Sequence, residues 1–284
     1  MPGRPRRSGN GSPDARDAAS GLRTRLARAP RALAQRAVHR VWKAARHVGA
    51  VTAGSPAAHR FAAFGPGSVL AFPPGAIFGE PSIEIGAGTV AGQHVTITAG
   101  IVPGQDLWGT TLLRIGDRCV IGRGTHIIAH QRIDIGDDVF TGPYVYITDQ
   151  NHGYADPTVP VGRQWPANAP VRIGAGSWLG AGTIVLPGSR IGRNVVVGAG
   201  SVVRGHVPDH CVVAGVPARV VRAYVPGEGW RPARSGPGAA AAPTGTLADA
   251  DGALAGPTAT LAAPGTLADP EGVQNVAKPP HPVL

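Results

Sequence analysis

The 284-residue sequence lacks the features that mark several protein classes. Its only cysteines, Cys119 and Cys211, lie far apart and belong to no CxxC or Cys/His cluster, so packed thiols are favoured over a disulfide framework or metal ligands. No run of 18 apolar residues occurs, which argues against a membrane span. Arginines interrupt the N-terminus, which therefore lacks the apolar stretch of a signal peptide, and we expect a cytoplasmic location.

Acidic residues are scarce in the first part of the chain. Residues 1–60 hold 13 Lys or Arg and 2 Asp, a balance of +11, whereas residues 61–284 hold 14 basic and 15 acidic residues, a balance of −1. A nucleic-acid enzyme needs a basic face on its folded domain, so this distribution disfavours that class. The basic segment could form an amphipathic helix with Leu26, Leu33, Ala37 and Val41 near one face. A solvated tail, docking on the folded domain and peripheral contact with an anionic membrane all stay open.

Aliphatic residues recur at every sixth position in the second half of the chain. The series is Ile173, Leu179, Val185, Ile191, Val197 and Val203. Glycine follows four of them directly, and small or slim residues occupy the fifth place of each hexad. A period of six fits neither an α-helix nor a long strand, but it suits a coil of short flat strands joined by tight corners. We therefore predict an all-β fold, a parallel β-helix in which each hexad forms one side of a prism.

The same unit recurs upstream, and its interruptions are informative. Longer breaks separate Ile97 from Ile115 and Ile147 from Ile173. We expect both breaks to be loops that project from the prism. After Pro226 the composition turns to Ala, Pro, Gly and Thr, which cannot bury enough apolar area to offset the entropy of ordering.

Two stretches resemble a known family. Ile135 to Tyr154 reads IGDDVFTGPYVYITDQNHGY, and Ile191 to Arg222 reads IGRNVVVGAGSVVRGHVPDHCVVAGVPARVVR. Both resemble the hexapeptide-repeat acyltransferases, especially the O-acetyltransferases of the maltose and galactoside group and of polysaccharide biosynthesis. The resemblance implies a left-handed β-helix, a homotrimer, and acetyl-CoA as co-substrate with no metal expected.

The predicted organisation follows from these patterns. It comprises a basic Arg/Ala-rich segment that could be helical (1–60), a β-helix acyltransferase domain (61–225) with an active-site loop (148–172), and a disordered tail (226–284).

His152 is the residue that the resemblance assigns to catalysis. It lies in an Asp-x-Asn-His-Gly pattern just after a predicted rung, where the family has its catalytic histidine. A hydroxyl that attacks a thioester must lose its proton, and an imidazole titrates in the range suited to accept it. We expect His152 to act as general base toward the acceptor hydroxyl in a ternary complex. No Ser/His/Asp or Cys/His pair in this stretch points to an acyl-enzyme.

Four further residues are predicted to orient or bind the acceptor. Asp149 and Asn151 precede His152 and could orient the imidazole or the acceptor, or could hold a turn. His130 aligns loosely with an acidic acceptor-binding position of the galactoside enzymes. Tyr154 could stack on a sugar or pack under the loop.

Five residues are predicted to bind coenzyme A. The resemblance points to Ala181 and Ala199 as small positions where the pantetheine arm passes close to the backbone, although small residues also serve corner packing. Arg204 stands near the place where many relatives have a lysine. Arg219 and Arg222 match the closing motif of the family and suit a phosphate through their forked donors, or are simply solvated.

Two other classes of function stay open. The β-helix could be a non-catalytic scaffold or binding protein. It could also be a γ-type carbonic anhydrase, which needs three histidines around zinc, but the spacing of His126, His130 and His152 does not match that family. The acceptor, a hydroxylated small molecule and most simply a sugar, is not identified by the sequence, and neither is the choice between O- and N-acylation.

Overall fold

The structure is a computed structural model that describes residues 15–105, 107 and 109–233, with side chains from residue 31 onward. The predicted disordered tail falls largely outside these residues.

The described chain contains one long helix and many short strands. Helix α1 spans Ala15–Gly49, and three 3₁₀ helices span Pro56–Arg60, Glu80–Ser82 and Val161–Arg163. The strands are β1 (Val51–Thr52), β2 (Ala63–Phe64), β3 (Val69–Leu70), β4 (Ile77–Phe78), β5 (Ile83–Ile85), β6 (Val90–Ala91), β7 (Thr96–Ala99), β8 (Leu113–Ile115), β9 (Val120–Ile121), β10 (His126–Ala129), β11 (Ile133–Ile135), β12 (Phe140–Thr141), β13 (Tyr146–Thr148), β14 (Gln150–Asn151), β15 (Ala167–Asn168), β16 (Val171–Ile173), β17 (Trp178–Leu179), β18 (Ile184–Val185), β19 (Arg190–Ile191), β20 (Val196–Val197), β21 (Val202–Val203), β22 (His206–Val207), β23 (Cys211–Gly215), β24 (Ala218–Val225) and β25 (Gly229–Pro232).

Three largely parallel sheets form the sides of a prism. Sheet I has the order β1-β3-β6-β9-β12-β17-β20-β23-β24-β25, sheet II the order β2-β5-β8-β11-β16-β19-β22, and sheet III the order β21-β18-β13-β10-β7-β4. The chain visits sheets II, I and III in turn and then starts the next coil. Antiparallel pairs occur only at the ends of sheet I and between β14 and β15, among the described strands. The predicted fold class, a left-handed parallel β-helix, is confirmed.

The six-residue period arises because three hexads make one coil. Ile173 pairs with Ile191 in sheet II, and Leu179 pairs with Val197 in sheet I. The aliphatic residues of the hexads point inward and are at most 3% exposed. Each such side chain contributes about 1.5–3 kcal/mol through burial. The core is therefore a set of aliphatic stacks that runs along the prism axis.

Small residues close the corners between the sheets. The buried hydroxyl of Ser177 donates to the carbonyl of Gly192 at 2.9 Å, on the neighbouring coil. A Cβ added to Gly180 would lie 2.5 Å from the amide nitrogen of Ala199. Glycine and small polar residues are required here because successive coils are in direct backbone contact.

The β-helix extends beyond the hexad pattern at both ends. Strand β2 pairs with β5, so the coil begins before the first recognised hexad, and β1 lies within the predicted segment 1–60. At the other end, β25 pairs with β24, and the ring of Trp230 packs against Tyr224 with centroids 5.7 Å apart. The chain thus stays ordered as a strand past the predicted boundary at residue 226, because an aromatic pair and a backbone ladder hold it.

Helix α1 stands largely apart from the β-helix. Almost all of its described side chains are exposed, and Gly49 at its end packs against the ring of Phe72. No helix in the described part of the chain is both long and apolar enough to cross a membrane.

Candidate active site

The interruptions of the hexad pattern all emerge at one corner of the prism. The segments after β7, β10 and β13 each connect sheet III to sheet II, on three successive coils. We call the part formed by residues 129–132 and 148–152 the histidine corner. Loops that are distant in sequence are therefore neighbours in space, and rigid strands hold both ends of each.

Asp149 holds the histidine corner together. Its side chain is fully buried, and its carboxylate oxygens accept hydrogen bonds from the backbone N–H groups of His130, Gln131 and Arg132 at 2.8, 2.8 and 2.6 Å. Its own carbonyl accepts from the N–H of Ala169 at 2.7 Å. The predicted role of Asp149 in orienting the site therefore takes an indirect form. Its carboxylate clamps the turn on the neighbouring coil and is not free to bind an acceptor.

His130 lies in the turn that Asp149 clamps, with its Nδ1 atom buried and without a hydrogen-bond partner. Burial lowers the pKa of His130 below its ordinary value, the carboxylate of Asp149 opposes this shift, and an electrostatic interaction with His152 adds to it. The two histidines are therefore close enough for their charges to interact. His130 is neutral at neutral pH and presents an unsatisfied ring nitrogen.

His152 lies at the start of the loop that leaves this corner. The preceding residues form β14, which pairs with β15 as Gln150 opposite Asn168 and Asn151 opposite Ala167. His152 is exposed just beyond this two-stranded arm. Gly153 follows in close contact with the carbonyl of Trp165, where a Cβ could not fit. The backbone on both sides of His152 is thus held in place, while the imidazole is open to a ligand.

Asn151 and Tyr154, the other predicted acceptor residues, lie on the same loop. Both side chains are exposed, and that of Tyr154 is 47% exposed. The loop beyond them is closed by Gln164, which donates to the carbonyls of Asp156 and Val159 at 2.9 and 2.8 Å. These hydrogen bonds hold the loop that follows His152 in place.

Asn168 is a site residue that the sequence did not reveal. Its Oδ1 and His130 Nδ1 are the two buried side-chain polar atoms without a hydrogen-bond partner in the described residues. His130 belongs to the histidine corner, and Asn168 pairs with Gln150 of that corner. Buried polar atoms without partners are rare in proteins and mark places where a ligand or water completes the bonding. Asn168 lies outside any hexad or motif, so only the β14–β15 pairing could bring it here.

The two predicted pantetheine positions lie at a different corner. Ala181 and Ala199 connect sheet I to sheet III on successive coils, and the N–H of Gly200 donates to the carbonyl of Ala181 at 2.9 Å. Both alanines are exposed. We call this the alanine corner. It is separated from the histidine corner of the same chain by the width of sheet III, whose outer face carries His126 and Tyr146 in register.

The predicted phosphate-binding arginines are not grouped together. Arg219 pairs with Ala214, which packs against Gly198 one residue before Ala199, so Arg219 lies near the end of the alanine corner. Arg222 lies further along β24. Arg204 follows β21 and sits on the corner between sheets III and II, two coils beyond β13. The structure thus brings Arg219 toward the alanines and places Arg204 elsewhere.

No group of three or more His, Cys, Asp or Glu side chains in the described part of the chain is arranged to hold a metal ion.

Comparison with known proteins identifies the family to which this chain belongs. A family profile described as bacterial transferase hexapeptide (six repeats) matches residues 170–205. An Escherichia coli protein named for O-acetyl transfer in lipopolysaccharide biosynthesis, WbbJ, is 37% identical over 134 residues, which cover 45% of this chain and 68% of that protein. The chain belongs to the hexapeptide-repeat bacterial transferases, as predicted.

Other similarities cover less of the relative or are more distant. A Mycobacterium tuberculosis protein whose name assigns it to the acetyltransferases is 43% identical over 110 residues, 39% of this chain. The match spans only 37% of that relative. AntD, an N-acyltransferase from Bacillus cereus solved with dTDP and 3-hydroxybutyryl-CoA, has a TM-score of 0.48 and 21% identity, with 58% of this chain and 84% of that chain covered.

Proposed function

We propose that this protein is an acyltransferase that moves an acetyl group from acetyl-CoA to a hydroxyl of a carbohydrate or another small-molecule acceptor. One observation carries the proposal. An exposed histidine, His152, follows the strand that pairs with Asn168 and lies close enough to His130 for an electrostatic interaction, and Asn168 and His130 each have a buried polar atom without a partner. A hydroxylated ligand that bonds to either atom can present an O–H group to His152. Membership in the hexapeptide-repeat transferases supports acyl transfer as the chemistry.

The proposed step is direct attack in a ternary complex. The acceptor oxygen bonds to the carbonyl carbon of the thioester as His152 takes the hydroxyl proton, and the carbon–sulfur bond then breaks. The coenzyme leaves as a thiolate and receives that proton from the imidazolium. The ester and the free thiol are the products, so no additional reactant is required.

The coenzyme is proposed to lie along the alanine corner, with Arg219 toward its phosphates and Arg222 and Arg204 as weaker candidates. On these two coils the place is taken by small, exposed residues, Ala181 and Ala199, whereas Arg123 and Pro143 occupy the same place on the two coils before them. We further propose a homotrimer in which the alanine corner of one subunit faces the histidine corner of its neighbour. This arrangement brings the thioester to His152 across the interface rather than around sheet III.

The test is thiol release from acetyl-CoA by the purified full chain with a panel of sugars, nucleotide sugars, amino sugars and hydroxylated aglycones. We expect acceptor-dependent release by the wild type and a loss of about 100- to 10,000-fold in His152→Ala, the usual contribution of a general base. His126→Ala is the matched control, because His126 is also exposed but lies on the face of sheet III.

Two outcomes contradict the proposal. If His152→Ala keeps most of the turnover, the histidine is not the base. If calorimetry detects no binding of coenzyme A by the wild type, the chain is not an acyltransferase and the scaffold alternative is favoured. Mass analysis of the product from an amino sugar distinguishes transfer to oxygen from transfer to nitrogen.

A further inference from the structure

Helix α1 carries an exposed apolar face that no part of the described chain covers. Leu33 and Val41 are 63% and 69% exposed, and Val48 is 83% exposed. A helix of a globular protein normally buries its apolar stripe against the core, since exposed apolar patches destabilise an isolated protein in water. The exposed stripe of α1 therefore indicates a surface that is buried in a complex.

The side chains of residues 33–48 separate cleanly around the helix. At 100° per residue, one arc of about 140° holds only apolar side chains. These are Leu33, Ala34, Ala37, Val38, Val41, Ala44, Ala45 and Val48. The opposite arc holds the basic side chains Arg36, His39, Arg40, Lys43, Arg46 and His47. Trp42 lies beside the apolar arc, at its boundary with the basic arc, and is 49% exposed.

The charge on this helix has no counterpart nearby in the sequence. No Asp or Glu occurs between Asp17 and Glu80. A second copy of residues 33–48 therefore offers no carboxylate to the cations. Half of the eight apolar side chains are alanine, which gives little volume for knobs-into-holes packing. Association of two α1 helices thus leaves the basic arc unpaired and gains little from the apolar one.

An anionic bilayer can bind the apolar arc and the basic arc at the same time. The apolar arc can enter the boundary between headgroups and acyl chains, while the long basic side chains extend to lipid phosphates. Trp42, at the edge of the arc, then lies at headgroup level, where tryptophan is enriched in membrane proteins. A nucleic acid would pair with the cations but would leave the apolar arc in water.

We propose that helix α1 docks the protein on an anionic phospholipid surface through residues 33–48. The helix lies in the plane of the interface and does not span it. Gly49, packed on Phe72, then ties the β-helix to the docked segment. This interaction is independent of the acyltransferase chemistry proposed above.

Vesicle co-sedimentation of the full chain tests the proposal, with phosphatidylcholine alone or mixed with phosphatidylglycerol, at low and high salt. We expect binding to the mixed vesicles that weakens with salt. The triple variant Arg36→Gln, Arg40→Gln, Lys43→Gln should bind on the order of 100-fold less, from the contribution of each cation at an anionic surface. The matched control Arg114→Gln, Arg172→Gln, Arg193→Gln removes the same charge from exposed positions of the β-helix and should change binding less than about threefold.

The apolar arc is tested separately. Val41→Asn with Val48→Asn should weaken vesicle binding about tenfold or more. Ala32→Asn with Gln35→Asn, on the opposite arc, controls for the change in helix propensity and should bind like wild type. Brominated lipids should quench the fluorescence of the wild type more than that of Trp42→Phe.

Four results overturn the proposal. These are equal binding to both kinds of vesicle, equal losses in the two triple variants, and tighter binding to a DNA duplex than to anionic vesicles. The fourth is a change of oligomeric state in Val41→Asn with Val48→Asn, measured by sedimentation, which would make the arc a contact between copies. Thiol release in solution is unaffected by any of these results, so the acyltransferase proposal stands or fails separately.

Discussion

The histidine corner and the alanine corner lie at opposite ends of the strands of sheet III and are built from neighbouring coils. They differ in the regularity of their turns and in the hydrogen bonding of their polar groups. At the alanine corner each coil repeats the same short turn, and Ala181 stacks under the next coil without interruption. At the histidine corner three successive coils depart from the repeat. The regular coils fix the ends of the strands. The loops that interrupt the repeat hold the candidate site residues between those ends.

The two corners also differ in how completely their polar groups are hydrogen-bonded. Near the alanine corner the hydroxyls of Thr183 and Ser201 donate to carbonyls of their own turns, at 2.8 and 2.6 Å. At the histidine corner His130 and Asn168 each keep a buried polar atom without a partner. Complete hydrogen bonding is typical of a structural element, whereas unsatisfied atoms at one place are typical of a binding site. The contrast supports the proposal that the acceptor binds at the histidine corner.

Mixing two variants that are each impaired at one corner gives the largest expected effect and tests whether the corners of different subunits cooperate. His152→Ala damages only the histidine corner, and Ala181→Phe only the alanine corner. If the site forms between subunits, co-refolded mixtures should recover up to about a quarter of wild-type activity, since about half of each corner is intact in random trimers. Sites contained within one subunit recover no activity. Turnover of mixed and separately refolded samples decides between them.

Removal of the clamp at the histidine corner should cost the next largest amount. Asp149→Ala removes a fully buried carboxylate and leaves three backbone N–H groups without their acceptor, and we expect a loss of about 3 kcal/mol in the free energy of unfolding. Asp156→Ala, whose carboxylate bonds to Thr158 on the exposed loop, should cost much less. Denaturant unfolding measures both. Equal losses would show that Asp149 does no more than an exposed loop residue.

Blocking the alanine corner should weaken coenzyme binding without weakening the fold. The chain offers a matched control, because Ala175 occupies the same place of its hexad as Ala181 but at the corner between sheets II and I. We expect Ala181→Phe to raise the Kd of coenzyme A about tenfold or more through steric exclusion of the pantetheine arm, and Ala175→Phe to leave it unchanged. Calorimetry measures both. An equal rise in the Kd of coenzyme A for the two variants would contradict specific binding of the coenzyme at the alanine corner.

The pH dependence of stability should be the smallest effect. The pKa of His130 is lowered by burial, so the unfolded chain binds the proton more readily than the folded chain. Its contribution to stability is complete above the ordinary histidine pKa of about 6.5 and is lost as the pH falls from there toward the folded pKa. His130→Asn should therefore flatten the decline of the unfolding free energy on acidification. His206→Asn, on the exposed face of sheet II, should preserve the wild-type decline.

The hexad pattern predicted most of the fold because every inward position has the same local requirement, an aliphatic side chain. Leu179 and Val197 are predictable as core since a coil of this size needs an aliphatic side chain at each rung, and both are fully buried. The ends of the domain were less predictable. Strand β2 and the Trp230–Tyr224 pair lie outside the hexad pattern and are held by contacts that no local period encodes.

The candidate site was predicted only in part. His152 stands out in the sequence through its motif. Its role as general base, which the resemblance implies, stays a proposal. Asp149 was expected to orient the imidazole or the acceptor, or else to hold a turn, and its carboxylate binds the turn of the neighbouring coil. Asn168 gave no signal, since it reaches the corner through one strand pair of a loop.

The sequence by itself determined the six-residue period, the aliphatic core, the positions of the two long loops and the basic character of the first 60 residues. These properties depend on residues close together in the chain, whose side-chain pattern is repeated. The tertiary structure alone decided that both loops leave the same corner, that Asn168 pairs with Gln150 just before His152, that Asp149 binds the turn of His130, and that the alanines lie across sheet III. Stacking of coils sets these distances, because residues far apart in sequence become neighbours only when the backbone ladders align them.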